Sequence, residues 1–452
     1  MKSVTAEIKE NKMGTMPITK LLFSMSVPMI ISMLVQALYN IVDSAFVAQI
    51  SENALSSVSL AFPMQNFMIA VAAGTGVGTN ALLSKSLGGK KFDTANKTAS
   101  VSIFLAFMNW LAFILICILF TKPFLKGQTN VAEIIQGGET YLNIVLIGSL
   151  GIFVQVAMER LLQSTGRTFE AMISQGVGAV ANIILDPIFI FGMFGLPKMG
   201  VAGAAIATVI GQFLSCGVGI YLNLKKNREI HINIKNILPN KYILKSIYIV
   251  AIPSILMISI GSVMIFCMNR ILDGFTSTAI AVFGVYFKLQ SFIFMPVFGL
   301  NNGMIPIIAY NYGARNKQRI HQTIKLSVIA AIVMMLVGFA VFQILPHKLL
   351  AIFKASENMI TIGVPALRII SFSFLLAGYN IVASSVFQAL GNGIYSLIIS
   401  VARQLVVLLP VAYLLSRIGE LNHVWLAFPI AEIIAFALCT AYLIRILKKL
   451  DF

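Results

Sequence analysis

Long apolar blocks alternate with short polar stretches along the whole chain. Each block has about 20 or more mostly apolar residues, which is the length that an α-helix needs to cross a lipid bilayer. The pattern predicts an all-α integral membrane protein with twelve transmembrane helices, over residues 21–50, 57–84, 98–121, 140–164, 170–194, 200–224, 243–272, 277–307, 325–345, 360–390, 394–417 and 423–446.

The composition agrees with a membrane protein and excludes a soluble one. Hydrophobic residues make up 58% of the 452 positions and charged residues only 11%, whereas a soluble domain carries roughly 25% charged residues. The first apolar block is too long for the hydrophobic region of a signal peptide, so we expect no cleaved leader. The 4 cysteines stand singly inside apolar blocks, a spacing that fits neither a disulfide framework nor a zinc site.

The formal net charge of +17 follows a topological pattern and does not mark a nucleic-acid-binding surface. Most Lys and Arg residues fall at the two termini and in alternate connections between blocks, which is the distribution of the cytoplasmic side of a membrane protein. We therefore expect no nucleic-acid partner. We expect a multi-pass protein of the bacterial cytoplasmic membrane, with cytoplasmic N- and C-termini.

The two halves of the chain repeat the same landmarks. At a fixed offset of 225 positions, polar and helix-breaking residues recur in order: Pro28 with Pro253, Gln65 with Gln290, Gly78 with Gly303, Gly88 with Gly313, and Gly166 with Gly391. These matches predict an internal duplication, with two helix bundles of coincidental likeness as the alternative. The predicted parts are a N-terminal segment, a N-terminal lobe, a linker, a C-terminal lobe and a C-terminal segment, at residues 1–20, 21–224, 225–242, 243–446 and 447–452.

The number of helices in each half determines how the lobes are related. Six is an even number, so each half begins and ends on the same side of the membrane and the lobes are parallel repeats. Two such lobes leave a cleft between them. A cleft that opens alternately to either side is the usual design of a transporter.

Acidic residues well inside the apolar blocks are the first candidates for function. They are Asp43, Glu159, Asp186 and Glu432. A charged side chain at that depth costs at least about 2.5 kcal/mol, so each needs a partner, a proton or a function. For Glu159 we expect an ion pair with Arg160 at the helix end or snorkelling to the interface. For Glu432 we expect a structural ion pair with Arg403 or Arg368.

Polar groups accompany two of these acids. Tyr39 lies four residues before Asp43, and Asn182 lies four residues before Asp186, so each pair shares a helix face. Pro187 follows directly and has no N–H to donate to the carbonyl four residues earlier. That oxygen is left free, and the fifth helix can bend there.

A cation site forms if the first, fifth and sixth helices pack together, because Thr208 of the sixth helix then adds a hydroxyl to the two carboxylates. Hard oxygen ligands suit a monovalent cation, and the same acids can instead hold a proton. A buried hydrogen-bonded pair that only joins helices is the alternative. The offset of 225 places Met268 and Val411 opposite Asp43 and Asp186, so the architecture of the second half does not need the acids.

The candidate substrate cleft is rich in methionine and aromatic residues. Methionine surfaces adapt to varied ligands, and aromatic rings attract cations. Helix packing or lipid contact is the alternative for each single residue. The candidate cleft residues are Met64, Gln65, Met68, Met264, Met268, Phe287, Gln290 and Met295.

Residues 42–47, 83–88, 182–192 and 203–208 resemble motifs of the multidrug and toxic compound extrusion (MATE) family. The likeness covers essentially the whole chain and implies twelve helices in two six-helix lobes that form a V-shaped antiporter. In the branch with a cation site in the N-terminal lobe, the motif positions correspond to Tyr39, Asp43, Asn182, Asp186 and Thr208. Another branch carries acidic residues in the seventh and eighth helices, where this sequence has none buried.

The resemblance implies a cation-coupled antiporter, using H⁺ or Na⁺, that exports small amphiphilic and often cationic drugs. The pattern is closest to the multidrug exporters of Gram-positive bacteria. We expect no enzymatic activity, no cofactor besides the coupling ion, and a monomer in the bilayer. If Na⁺ is the ion, Asp43, Asn182 and Asp186 are its ligands.

Two other functions are weighed against this expectation. A lipid-linked oligosaccharide flippase shares the architecture, but such proteins tend to have a basic cleft, and the candidates here are Met and Phe. An intramembrane aspartyl protease would use Asp43 and Asp186. Such enzymes resemble one another in a Gly-x-Gly-Asp motif, which the sequence before Asp186 lacks.

Overall fold

The computed structural model describes residues 11–233, 237–238, 240–353 and 355–450. The described residues form helices and connecting turns, with no β-strand among them, which confirms the all-α prediction. Residues 1–10 and 451–452 of the predicted terminal segments and residues 234–236 and 239 of the predicted linker lie outside the described part.

The helices follow one another with short connections. A 3₁₀ turn lies at Met193–Gly195 and a π-helical segment at Ala402–Leu408. The α-helices of the described chain are α1 Lys12–Thr15, α2 Ile18–Ala48, α3 Glu52–Gly88, α4 Phe92–Lys126, α5 Ala132–Ile147, α6 Leu150–Ser164, α7 Thr168–Phe191, α8 Val201–Lys226, α9 Lys241–Asp273, α10 Ser277–Gly313, α11 Lys317–Ile344, α12 Pro346–Ala351, α13 Glu357–Ser371, α14 Phe374–Ala389, α15 Gly393–Val401, α16 Leu409–Ile418, α17 Leu421–Val424 and α18 Ala427–Lys448.

Ten spans of the described chain are long and apolar enough to cross a membrane, and twelve result if each of two bent helix pairs counts as one. The bent pairs are α5 with α6, at 46°, and α13 with α14, at 50°. The breaks fall at Gly148 and Ser149 and at Phe372 and Ser373. Hydropathy predicts unbroken helices there, because the chain stays apolar through both bends.

The two halves meet mainly along three helix pairs, α2 with α10, α3 with α9 and α3 with α10. The first two pairs are related by the duplication. Gly74 of α3 lies against Ile255 of α9, and Gly299 of α10 lies against Ile30 of α2. Each residue of the first contact has its counterpart in the second, 225 positions away. The same close approach therefore occurs twice, as a two-fold pseudosymmetry requires, and glycine permits it by having no side chain.

One pair of glycines that recurs in the two halves is explained by the backbone conformation. Gly166 follows α6 with a φ of 87°, and Gly391 follows α14 with a φ of 82°. Residues with a side chain rarely adopt such angles, whereas glycine does so at little cost. The same turn is thus made twice, at equivalent positions of the two halves.

Helix α2 contributes to the apolar cores of both halves. Leu21 and Met25 near its start lie in the core cluster of the C-terminal half, while Val47 near its end lies in that of the N-terminal half. All three are 0% exposed. A displacement of one half relative to the other must therefore involve α2.

Short helix α1 lies across the end of the molecule at which α3 and α10 end. Asn311 Nδ2 and Arg319 Nη2, of the C-terminal half, donate to the carbonyl oxygen of Met13 at 3.1 and 3.0 Å. On the other side, the Asn11 amide donates to the carboxylate of Glu229, which follows α8. Helix α1 therefore bridges the two halves at this end.

Candidate functional site

Asp43 of α2 and Asp186 of α7 face each other in the N-terminal half. Helices α2 and α7 pack against each other, the two carboxyl groups are close enough to interact, and Asp186 is 0% exposed. Two ionised carboxylates this close repel each other, so the pair is stable only when a proton or a cation lies between them.

Asn182 joins this pair to helix α8. Its Nδ2 donates to Asp186 Oδ1 at 3.3 Å and to Thr208 Oγ1 at 3.3 Å. Asn182 is 3% exposed and Thr208 is 7% exposed. The structure thus brings together the predicted residues of three helices in one buried polar cluster, the N-terminal acid cluster, which consists of Asp43, Asn182, Asp186 and Thr208.

Small residues allow α7 and α8 to approach closely enough for this contact. A Cβ on Gly178 would lie 2.8 Å from the carbonyl oxygen of Gly211, and a Cβ on Gly211 would lie 2.8 Å from that of Gly178. One turn away, the same Cβ on Gly211 would lie 3.3 Å from Cβ of Asn182. The glycine crossing therefore determines the distance between Asn182 and Thr208.

Three buried oxygen atoms of the cluster have no hydrogen-bond partner in the structure: Asp43 Oδ1, Asn182 Oδ1 and Asp186 Oδ2. Buried polar atoms are almost always paired, since an unpaired one costs about 1–3 kcal/mol. An oxygen atom that only accepts can be satisfied by a hydrogen-bond donor or by a cation. The described residues contain no group of three His, Cys, Asp or Glu side chains suited to a metal ion.

Two tyrosines lie beside the acids. Tyr39, which the sequence predicts at this site, is close enough to Asp43 and Asp186 to interact with their charges. Tyr141 of α5 also interacts with the charges of both acids, is 2% exposed, and donates to Gln65 Oε1 at 3.3 Å. Sequence reasoning missed Tyr141, although a tyrosine inside an apolar helix usually needs a partner for its hydroxyl.

Pro187 lies inside α7, which continues to Phe191. The helix ends where Gly192 adopts a φ of 73°, and the Gly192 N–H donates to the carbonyl of Ile188. Because proline has no N–H, the carbonyl four residues before Pro187 lacks its helical donor next to the acid cluster. Helix α7 therefore supplies a further oxygen beside Asp186.

A cavity of about 600 Å³ lies mainly within the C-terminal half. Four of the predicted cleft residues line it: Met264, Phe287, Gln290 and Met295. The other four lie elsewhere. Met68 and Met64 pack in the core of the N-terminal half, Met268 in that of the C-terminal half, and Gln65 accepts from Tyr141.

The cavity also contains charged residues. Glu432 of α18 accepts from Arg403 Nη1 at 2.6 Å and from Asn380 Nδ2 at 2.6 Å, so its expected ion pair is made with Arg403. Arg160 of α6 lines the cavity as well. The acids of the N-terminal cluster do not line it, so the two sites are separate.

Glu159 and Arg160 point to different partners. Gln155 Nε2 donates to Glu159 Oε1 at 3.0 Å, and Glu159 is 7% exposed. Arg160 Nη1 donates to Gln163 Oε1 at 2.8 Å and to Asn302 Oδ1 at 3.0 Å. The latter contact joins α6 to α10 across the two halves.

Comparison with known proteins gives matches along the whole chain. The sequence model of the family described as MatE matches residues 28–188 and 253–414. The multidrug export protein MepA of Staphylococcus haemolyticus (strain JCSC1435) is 28% identical over 416 residues, which cover 92% of this chain and 91% of that protein. MepA of Staphylococcus aureus (strain NCTC 8325 / PS 47) is 28% identical over 439 residues, covering 95% and 94% of the two chains.

The fold is also similar to solved structures. An outward-facing conformation of a multidrug resistance MATE family transporter of the MOP superfamily matches with a TM-score of 0.92 at 25% identity, covering 98% of this chain and 99% of that one. This likeness confirms the predicted fold of two helical lobes forming a V. The two segments that match the family model begin 225 residues apart, at 28 and 253, which agrees with the internal duplication.

Proposed function

Because this chain belongs to the MATE family of membrane transporters, we propose that it is a cation-coupled antiporter that exports small amphiphilic, often cationic, compounds. The family consists of transporters, so the expectation that the chain is not an enzyme is confirmed, and the aspartyl protease is excluded. The names of the relatives, multidrug export proteins, support xenobiotic export as the activity.

The N-terminal acid cluster carries this proposal. Asp43, Asn182 and Asp186 each have a buried oxygen without a hydrogen-bond donor, and the two carboxyl groups adjoin each other. Such a cluster is unstable when empty and fully ionised. It gains most from binding a proton or Na⁺, which is the property that a coupling site needs.

Coupling requires that the ion binds one conformation more tightly than the other, since an ion with equal affinity for both shifts nothing. Helix α2 links the two sites. It carries Asp43 near its end, and it packs against α10 at Ile30, beside Gly299. Helix α10 in turn contributes Phe287 and Gln290 to the cavity. Binding of the ion at Asp43 can therefore bias the packing of α2 against the cavity-lining helix.

The ion is either H⁺ or Na⁺, because carboxylate, amide and hydroxyl oxygens serve both. For Na⁺, the ligands are Asp43, Asn182, Asp186 and Thr208, with Tyr39 beside them. For H⁺, the proton is shared by the two carboxyl groups. No other cofactor is part of the proposal.

The distribution of basic residues supports an orientation with both termini on the cytoplasmic side of the membrane. The end of the molecule that carries α1 also carries Lys85, Lys90, Lys91 and Arg315, and basic residues mark the cytoplasmic side. We infer that the protein is a monomer of the bacterial cytoplasmic membrane with both termini inside the cell. In this orientation the cytoplasmic end is the one at which α3 and α10 touch.

Transport by purified protein in liposomes tests the proposal. Ethidium efflux is measured with a pH gradient alone and with a sodium gradient alone, at equal membrane potential. One of the two gradients should drive efflux, and the opposite cation should move in exchange. Ethidium efflux that needs neither gradient would refute antiport. Lipid scrambling without ethidium transport would also refute it and would favour the flippase.

A further inference from the structure

A second pocket, of about 780 Å³, lies between the C-terminal ends of α3 and α10. Both halves of the chain line it, with Gly88 and Gly313 at the contact of the two helices and with the turns that follow them. Its volume falls in the range of about 300–1,000 Å³ that holds small organic molecules. The acid cluster and the cavity of the C-terminal half consist of other residues, so the proposed transport sites do not account for this pocket.

Among the described residues, the charged side chains that line this pocket are all basic. Lys85 and Lys91 are close enough to act on each other's charge. The acid nearest in sequence, Asp93, does not line the pocket, and the part of the chain that the structure describes contains no ion pair of these basic residues. We call this site the basic pocket, after Lys85, Lys90, Lys91 and Arg315.

Lys85 is positioned by a contact between the halves. Its Nζ lies 4.6 Å from the ring centre of Tyr312 in α10. A cation over an aromatic ring is attracted to it but keeps its full charge. The ammonium of Lys85 is therefore held at the boundary of the two halves.

Two of the basic residues have an unusual backbone. Lys90 and Arg315 are 225 positions apart, and both are left-handed, with φ of 56° and 57°. In each turn the N–H of the following residue, Lys91 or Asn316, donates to the carbonyl five residues before it, at 2.8 and 2.9 Å. This is the Schellman motif, whose left-handed position is usually occupied by glycine.

The same turn follows α6 and α14, and there it is made with glycine. Gly166 and Gly391 are left-handed, and the next residues, Arg167 and Asn392, donate to the carbonyl five residues before them at 2.8 and 2.7 Å. A side chain in this conformation costs about 1–2 kcal/mol. The backbone alone would therefore favour glycine in the turns after α3 and α10 as well.

General charge preferences do not explain these positions. Helix C-termini and the cytoplasmic side of a membrane both favour basic residues. Neighbouring positions of the same turns, such as Gly89 and Ala314, would satisfy both preferences without a left-handed side chain. The strain at Lys90 and Arg315 points to a function of their side chains in the basic pocket.

A pocket with several cations and no acid in its lining suits an anion with several oxygens, and phosphate forms charge-assisted hydrogen bonds with Lys and Arg. We propose that the basic pocket binds a phosphate group, held by Lys85, Lys90 and Lys91 of one half and by Arg315 of the other. Spans α3 and α10 end at Gly88 and Gly313, so the pocket lies where lipid headgroups meet water. Its ligand is a phosphate of a lipid headgroup or of a soluble compound. This inference does not depend on the proposed transport.

The test variant combines Lys90→Gly with Arg315→Gly. Glycine keeps the left-handed turns and removes both charges, so the midpoint of thermal unfolding should not fall. The control combines Lys226→Gln with Arg228→Gln, two exposed positions at the end of α8 that lie outside the pocket, and it lowers the net charge by the same amount. The full chain in a neutral detergent is titrated with inorganic pyrophosphate by isothermal titration calorimetry at constant ionic strength.

Wild-type protein and the control should bind pyrophosphate with the same affinity. In the double glycine variant the affinity should fall at least about tenfold, because charged hydrogen bonds are lost. Three outcomes would overturn the inference: no binding to wild-type protein, an unchanged affinity in the double glycine variant, or an equal loss in the control.

A second measurement determines the source of the phosphate. Native mass spectrometry compares the retention of phosphatidylglycerol with that of phosphatidylcholine, whose phosphate is neutralised by its own choline group. Selective retention of phosphatidylglycerol that pyrophosphate displaces, and that the double glycine variant loses, supports a lipid headgroup as the ligand. Pyrophosphate binding without such retention supports a soluble phosphate compound.

Discussion

Gly88 and Gly313 form a reciprocal contact at the C-terminal ends of α3 and α10. A Cβ on Gly88 would overlap the carbonyl oxygen of Tyr310, and a Cβ on Gly313 would overlap that of Lys85. Both the glycines and their contact partners are 225 positions apart, so one contact is the pseudosymmetric copy of the other. The two helices touch backbone to backbone and close this end of the molecule.

The first prediction concerns this closure. Gly88→Ala and Gly313→Ala should each force α3 and α10 apart, at a cost of about 1–3 kcal/mol for an overpacked contact. A cysteine at Ala309, which is 0% exposed, should then react faster with a maleimide in protein whose native cysteines are replaced. The midpoint of thermal unfolding should fall in parallel.

Gly89→Ala is the matched control for this closure, because the nearest atoms to its Cβ would lie at 3.4 Å, an ordinary contact. If Gly88→Ala behaves like Gly89→Ala in both measurements, the glycine contact does not determine whether this end is open.

The second prediction concerns the glycine crossing of α7 and α8. Gly211→Ala should push α8 away from α7 and lengthen the 3.3 Å contact between Asn182 and Thr208. The affinity for the coupling cation should fall, as measured by the cation concentration needed for half-maximal ethidium efflux. On the same helix, a Cβ added to Gly217 would meet no neighbouring atom within 4 Å, so Gly217→Ala should keep the wild-type value. If Gly211→Ala and Gly217→Ala need the same cation concentration for half-maximal efflux, the glycine crossing does not affect cation binding.

The duplication and the helical class were accessible from the sequence because both leave marks that repeat. Hydropathy over about 20 residues reports a span directly, and glycines that the backbone requires, such as Gly166 and Gly391, recur at a fixed offset. The bends after Gly148 and Phe372 leave no such mark, since neither hydropathy nor a proline distinguishes them from a straight helix.

The sequence predicts those contacts of the acid cluster that lie on one face of a single helix. The i, i+4 spacing places Asn182 beside Asp186, but the sequence does not reveal which helices pack together, and the packing of α2 on α7 was an assumption. Tyr141 was missed because it belongs to a fourth helix with no motif around it.

The charge of the cavity was also missed. Arg160 and Arg403 lie in helices with different partners, and only their three-dimensional positions show that they share one lining.

The third prediction concerns the two acids. Asp43→Asn and Asp186→Asn should each reduce cation-driven ethidium efflux to background, because an amide can neither release a proton nor neutralise Na⁺. Folding should be kept, since removing one of two adjacent carboxylates relieves repulsion. Circular dichroism and thermal unfolding check the fold. Asp93→Asn, the same chemical change at an exposed position at the start of α4, is the control and should transport normally.

If Asp43→Asn or Asp186→Asn shows wild-type efflux, the acid pair has no role in coupling. The pair would then be a structural contact between α2 and α7, which was the alternative at the level of the sequence. Loss of efflux in Asp93→Asn as well would point to a general effect of net charge and not to the cluster.

The fourth prediction concerns Glu229, whose carboxylate accepts from Asn11 at the start of α1. Burial raises the pKa of Glu229 above its usual value of 4.5, against the opposing effects of the hydrogen bond from Asn11 and of the charges of Arg167 and Lys12. The folded form thus holds the proton of Glu229 more tightly than the unfolded chain does. The resulting stability is complete below the ordinary pKa and is lost as the pH rises through the raised value.

The contribution of Glu229 should therefore lower the midpoint of thermal unfolding as the pH increases above its ordinary pKa, and Glu229→Gln should make this decrease smaller. Glu170→Gln, which removes a nearby carboxylate paired with Arg167 at 3.4 Å, is the control and should keep the wild-type decrease. A decrease that is unchanged in Glu229→Gln and smaller in Glu170→Gln would contradict the assignment of the proton to Glu229.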